Sequence, residues 1–138
     1  MQTPPALPPP VRWILWFALA GSVVAYFCLI HFQVLKPSEP GAGANLAGPA
    51  LILGAVLGLA GILVRLPAIR LSRVPEAGGK VNALFIVSLA LSEAPGILGF
   101  VLGILGQGAT DYLPLFAISA FAFLSNRPTA FFPRDEDA

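Results

Sequence analysis

Glu93 is the single carboxylate in the apolar run Val81–Gly106 (VNALFIVSLALSEAPGILGFVLGILG), and it stands near the midpoint. A run of this length crosses a bilayer as a helix. An ionisable group at the centre of such a helix costs about 2.5–3.5 kcal/mol on insertion scales, so its retention points to a task. Two chemistries fit: reversible carriage of a proton, or hydrogen bonding that fixes one helix against another. Ser92 directly before Glu93 and Pro95 just after it complete the candidate ion-binding group. Pro95 has no N–H, so the carbonyl of Leu91 loses its helical donor and is open to a protonated carboxyl or a water. Desolvation favours the neutral form of a buried carboxyl, so Glu93 is expected to carry a proton in lipid and release it beside a cation or a water path. The span interiors hold no Lys or Arg. That cation must therefore come from a second, cation-bearing membrane subunit.

No enzyme chemistry is legible elsewhere. His31 stands near the end of an apolar run, without a second His, Cys or carboxylate close in sequence, and reads as an interfacial residue. Cys28, the one cysteine, lies inside the same run and reads as a small packing residue. No nucleophile has a base beside it and no metal set converges, so neither an enzyme nor a cofactor or metal centre is expected. A formal net charge of +1 leaves no basic excess for nucleic acid.

The elements that must position Glu93 follow from composition. With 57% hydrophobic and 11% charged residues among 138, the chain reads as an integral membrane protein whose first partner is the lipid bilayer. Residues 1–10 (MQTPPALPPP) form a proline-rich tail, expected to lie extended on the surface. Four spans follow, at about 11–35, 46–64, 81–106 and 112–127, and residues 133–138 (PRDEDA) form an acidic C-terminal tail. Arg12, Trp13 and Trp16 anchor the first span at the headgroup level. Lys36–Ala44, dense in Pro and Gly, is a turn, and Gln107–Thr110 another. The fourth span is short for a crossing, with Pro114 in its first turn.

Arg65–Lys80 carries Arg65, Arg70, Arg73 and Lys80 against Glu76, which marks it as a cytoplasmic loop. Four spans then put both termini on that side. The Lys and Arg count becomes seven there (Arg12, Arg65, Arg70, Arg73, Lys80, Arg127, Arg134) against one, Lys36. Small residues supply the packing faces. Ala47, Gly54, Gly58 and Gly61 share one face of the second span, Ser88, Ser92, Gly96, Gly99 and Gly103 form a small-residue stripe on the third with Glu93 on its edge, and each set contains a GxxxG. Such faces admit a close backbone, within the chain or in a homo- or hetero-oligomer. An internal repeat is faint: Ala18–Ser22 aligns with Ala90–Ala94, with Gly21 opposite Glu93.

Arg73-Val74-Pro75-Glu76, followed seventeen residues after Glu76 by Ser92-Glu93-Ala94-Pro95-Gly96-Ile97-Leu98-Gly99, resembles the polar loop and second helix of the ring subunit (subunit c, the proteolipid) of rotary ATP synthases. The resemblance covers about residues 46–105 and implies that Glu93 carries the ion while Arg73 and Pro75 face a rotor stalk. The second-span glycines stand four and three apart instead of in that family's alternating pattern, and two further spans flank the hairpin. No glutamine stands in the second span and Ala94 follows Glu93, so the ion implied is a proton. As a whole the chain is similar to a group of small, uncharacterised four-span bacterial membrane proteins with the same glutamate helix. That likeness implies the bacterial inner membrane.

The fold expected is all-α: an integral membrane four-helix bundle with a central glycine-rich hairpin and a mid-membrane Glu. The first functional expectation is a structural or interaction subunit of a membrane complex, with Glu93 a protonated packing carboxyl bonded to Ser92, Ser22 or a backbone carbonyl. The alternative is a proton-translocating, subunit c-like protein with Glu93 as carrier. A small transporter or channel comes third, because the spans hold few other polar residues to line a path.

Overall fold

The computed structural model describes residues 5–33, 35 and 45–132. These residues form helices and no strand: α1 (Pro9–His31), α2 (Ala47–Leu63), α3 (Arg65–Leu71), α4 (Gly78–Ile104), α5 (Ala109–Ser125) and α6 (Pro128–Phe131), with a single 3-10 turn at Pro75–Ala77. Three stretches are long and apolar enough to cross a membrane, Pro9–His31, Ala47–Leu71 and Gly78–Ile104, and Ala109–Ser125 is a shorter apolar helix. The chain is therefore a membrane-embedded helical protein. At 1.5 Å per residue α5 reaches roughly 25 Å, short of the roughly 30 Å hydrocarbon core. The turn expected at Lys36–Ala44 and the tail at 133–138 lie outside the described residues.

Local chemistry sets the helix ends. Pro9 and Pro10 open α1, where a missing N–H costs nothing. Pro67 cannot donate to the carbonyl of Leu63, and α2 stops at Leu63. The helix resumes at once as α3, so the segment expected as a loop from Arg65 is helical as far as Leu71. Gly106 ends α4 with φ 75°. The N–H of Gln107 donates to Leu102 O (3.0 Å) and that of Gly106 to Gly103 O (3.1 Å), a paired closure that needs the left-handed glycine.

α4 is the centre of the bundle and packs against α1, α2 and α5, while α5 also touches α1 and α2. Contacts between residues fix the directions. Val23 meets Gly96 and Ile30 meets Gly103, so α1 runs parallel to α4; Gly61 meets Leu91 and Gly99 meets Phe116, so α2 and α5 run antiparallel to it. The core joins Phe85, Leu89 and Leu102 of α4 to Leu115, Phe116 and Phe123 of α5 and to Phe131 and Phe132. Phe85 meets the last two rings edge-on at 5.2 and 5.5 Å. Outward faces are apolar, with Ile14, Phe17, Val24, Ile52, Val56, Leu59, Phe121 and Leu124 all exposed, as lipid contact requires.

Both described chain ends gather at one end of the bundle. The Arg12 guanidinium lies 3.6 Å from the Phe132 ring centroid. Arg65 Nη1 donates to Ser125 O at 2.7 Å, neutralising the C-terminal carbonyls of α5. The proline-rich segment does not simply trail on the surface: residues 5–7 are hydrogen-bonded to Asn82, in the second turn of α4.

Candidate functional site

Glu93 is half-buried on the face of α4 that meets α1. Its Oε1 lies 2.6 Å from Ser22 Oγ and 3.5 Å from the Tyr26 hydroxyl, the second at the limit of a hydrogen bond. Ser22 and Tyr26 are four apart on α1, one turn above the other, so both hydroxyls fall on one side of the helix. Ser22 Oγ also donates within α1 to Leu19 O at 2.7 Å. Val23 of α1 packs on Gly96 of α4, and Ile30 on Gly103. Glu93 is thus the polar element in an otherwise apolar, glycine-based seam.

Ser92 points elsewhere. It is fully buried on the side of α4 that faces α2 and α5, where its Oγ donates to Ser88 O (2.8 Å) and accepts from Asn126 Nδ2 (3.0 Å). Pro95 lies on that side too, its ring against Gly54 and Gly58. The expected ion-binding group is therefore split: Glu93 meets α1, while Ser92 and Pro95 meet α2 and α5. Among the described residues the Glu93 carboxyl bonds across to α1 and makes no hydrogen bond to Leu91 O.

Ser92 belongs to a buried network that ties three helices together. Ser119 Oγ of α5 donates to Ser92 O at 2.6 Å, and Asn126 Nδ2, at the C-terminus of α5, donates to Gly61 O of α2 at 3.0 Å. Ser88, Ser92, Ser119 and Asn126 are each 0% exposed, so every bond here replaces an unmet desolvation cost. Two buried atoms at this junction, Asn126 Oδ1 and Arg65 Nε, have no hydrogen-bond partner among the described residues. Sequence reading placed Ser88 and Ser92 on a small-residue stripe and missed Ser119 and Asn126. The available signal was a serine in mid-helix and an asparagine ending an apolar run.

The six glycines placed on packing faces from the sequence are all buried, and a Cβ at each meets a helix of this same chain. Gly54 faces Leu115, Gly58 faces Ile118 (2.6 Å) and Gly61 faces Leu91 and the Ser88 carbonyl (3.1 and 3.2 Å). Gly96 faces Val23 (2.9 Å), Gly99 faces Phe116 (3.1 Å) and Gly103 faces Ile30. Arg73 and Glu76 of the expected polar loop are exposed, and Pro75 opens the 3-10 turn. The external grooves between α1 and α5 and between α2 and α5 are lined by apolar residues, such as Trp16 and Phe123 in the first and Leu59 and Phe121 in the second.

The arrangement joins helices through one carboxyl and a buried serine–asparagine network, and among the described residues no line of polar groups crosses the bundle. No family model, no curated protein and no solved structure matches the chain.

Proposed function

We propose that this protein is a structural or interaction subunit of a membrane complex, in which Glu93 is a protonated packing carboxyl that holds α1 to α4. The observation that carries the reading is a proton count at Ser22. Its hydroxyl has one hydrogen, yet Oγ lies 2.7 Å from Leu19 O and 2.6 Å from Glu93 Oε1. A carbonyl has no proton to give. Both short contacts are satisfied when Ser22 donates to Leu19 and the carboxylic acid of Glu93 donates to Ser22. The carboxyl is then neutral, which is the form that lipid favours. The position of Glu93 near the centre of the apolar helix α4 supports this reading.

One observation favours a second reading, a proton-translocating protein of the subunit c type. Glu93 is half-buried rather than sealed, and two hydroxyls meet it, so its proton has a route to exchange. A cation from another subunit would complete that relay. The remaining assignments follow the charge distribution. The ends that carry Arg12, Arg65, Lys80 and Arg127 are brought together by the contacts of Arg12, Arg65 and Asn82, and a basic end belongs on the cytoplasmic side. Both termini are then cytoplasmic, and the similarity to small bacterial four-span proteins points to the inner membrane.

Labelling of Glu93 in native membranes with a hydrophobic carbodiimide, which reacts with a protonated carboxyl, tests the choice. Labelling that is absent or unchanged between about pH 5 and 9 supports the packing carboxyl. Labelling that falls as pH rises, and that Glu93→Gln abolishes, overturns it in favour of proton exchange.

A further inference from the structure

Asn82 lies in the second turn of α4, and its side-chain amide makes two hydrogen bonds to one short stretch of backbone. The N–H of Leu7 donates to Asn82 Oδ1 at 3.0 Å, and Asn82 Nδ2 donates to Pro5 O at 3.1 Å. An extended chain presents the carbonyl of one residue and the N–H of the second residue after it on the same side, and a carboxamide carries the matching acceptor and donor. Pro8, with φ −57° and ψ 143°, continues the stretch in polyproline II geometry. One turn before Asn82, Gly78 gives the segment room: a Cβ there would lie 2.8 Å from the backbone nitrogen of Ala6 and 3.3 Å from the carbonyl carbon of Pro5. Those neighbours are backbone and cannot rotate aside.

We propose that Gly78 and Asn82 form a peptide-binding seat that reads the backbone of an extended, proline-flanked segment, and that Pro5–Leu7 fills it as an exchangeable strap. The ligand class is a polyproline II peptide with a free N–H at the position of Leu7. Sequence makes the strap specific, because proline at 4, 5, 8, 9 and 10 leaves Ala6 and Leu7 the only N–H groups between residues 4 and 10. Two neutral hydrogen bonds close the strap by about tenfold to a hundredfold, enough to populate it and little enough for a competing peptide to displace it. Occupancy ties the start of α1 to the start of α4. Release frees the first turn of α1 and presents the proline-rich segment and its seat together.

Amide exchange of Leu7, followed by NMR on the full chain in lipid nanodiscs, reads the strap directly. The Leu7 amide should exchange about tenfold to a hundredfold more slowly than in the free peptide MQTPPALPPP. Asn82→Leu and, separately, Gly78→Val should each return it to the free rate. The Trp16 indole N–H, which donates to Phe123 O at 3.0 Å, should stay in place and report that the bundle is folded. Free peptide added at millimolar level, comparable to the effective concentration of a tethered segment, should raise Leu7 exchange about twofold or more. The same peptide with N-methyl-leucine at position 7 should not. Exchange of Leu7 at the free rate in the native chain overturns the seat. Protection that survives both substitutions overturns the roles of Asn82 and Gly78, and displacement by the N-methylated peptide overturns backbone reading.

Discussion

If the Glu93 carboxyl donates to Ser22, the contact is a neutral interhelical hydrogen bond, and its strength can be isolated by a double-substitution cycle. The perturbations are Ser22→Ala, Glu93→Leu and the pair, with Glu93→Gln as the conservative partner. Interhelical hydrogen bonds in membrane proteins average about 0.6 kcal/mol and reach about 1.7 kcal/mol in such cycles. A 2.6 Å contact in an apolar seam belongs toward the upper end, and Tyr26 at 3.5 Å adds little. The coupling expected is therefore about 0.6–1.7 kcal/mol, or about threefold to eighteenfold in the unfolding equilibrium. Glutamine keeps the length of the side chain and has an N–H to give to Ser22 Oγ, so Glu93→Gln should stay within about 0.5 kcal/mol of the native chain. The assay is reversible unfolding in bicelles by steric trapping, which reports the equilibrium without strong denaturant. A coupling below about 0.3 kcal/mol would show that the two side chains act independently. Glutamine as damaging as leucine would show that a charge, and not a donated proton, does the holding, because hydrogen bonds to an ionised group contribute about 1.5–3 kcal/mol that an amide does not replace.

Three further outcomes are expected. Gly103→Ala should destabilise the bundle by about 1–3 kcal/mol, because its Cβ meets the stiff β-branched Ile30, while Gly21→Ala, with nothing within 4 Å of its Cβ, should be neutral or stabilise by up to about 1 kcal/mol; the same unfolding assay reads both. Asn126→Leu removes the donor shared by Gly61 O and Ser92 Oγ and should cost about 1–3 kcal/mol, against about 0.5–1.5 kcal/mol for Ser119→Ala, which removes one bond to Ser92 O. In a Cys28→Ser background, Arg73→Cys should react with an impermeant maleimide only after the inner face is opened, and Gly108→Cys in intact cells; the opposite pattern would invert the proposed orientation.

How much of this was legible in the sequence depends on the distance over which the information acts. Hydrophobic length is local, so the three membrane-length helices and the shorter apolar one were readable, as was the face shared by Gly54, Gly58 and Gly61. The charge run at Arg65 hid a helix, because Leu66, Ala68 and Leu71 continue the apolar pattern of α2 past the break that Pro67 causes. Partners across the fold were not readable. Leu7 and Asn82 are 75 residues apart, Ser22 and Glu93 are 71 apart, and no periodicity along one helix says which neighbour its polar side chain will meet. The split between Glu93 and Ser92 is the clearest case. Consecutive residues on a helix stand about 100° apart, so two groups adjacent in sequence must serve different neighbours when helices pack on both sides.

That split explains why one helix has two polar devices. Lipid supplies no hydrophobic drive for helices to associate, so contact depends on close packing and on bonds with no better partner elsewhere. On one side of α4, α2 and α5 close through five glycine or proline positions, Gly54, Gly58, Gly61, Pro95 and Gly99, and the fully buried side chains of Ser119 and Asn126 bond across to Ser92 and to Gly61 O. On the other side α1 meets α4 at Gly96 and Gly103 and holds by the single carboxyl of Glu93, with the Pro5–Leu7 strap at its start. The three-helix side is held by bonds among fully buried side chains, whereas α1 is held, among the described residues, by the half-buried Glu93 carboxyl, the Pro5–Leu7 contact and the Trp16 indole bond to Phe123 O. If any helix of this bundle moves when a partner binds, it is α1.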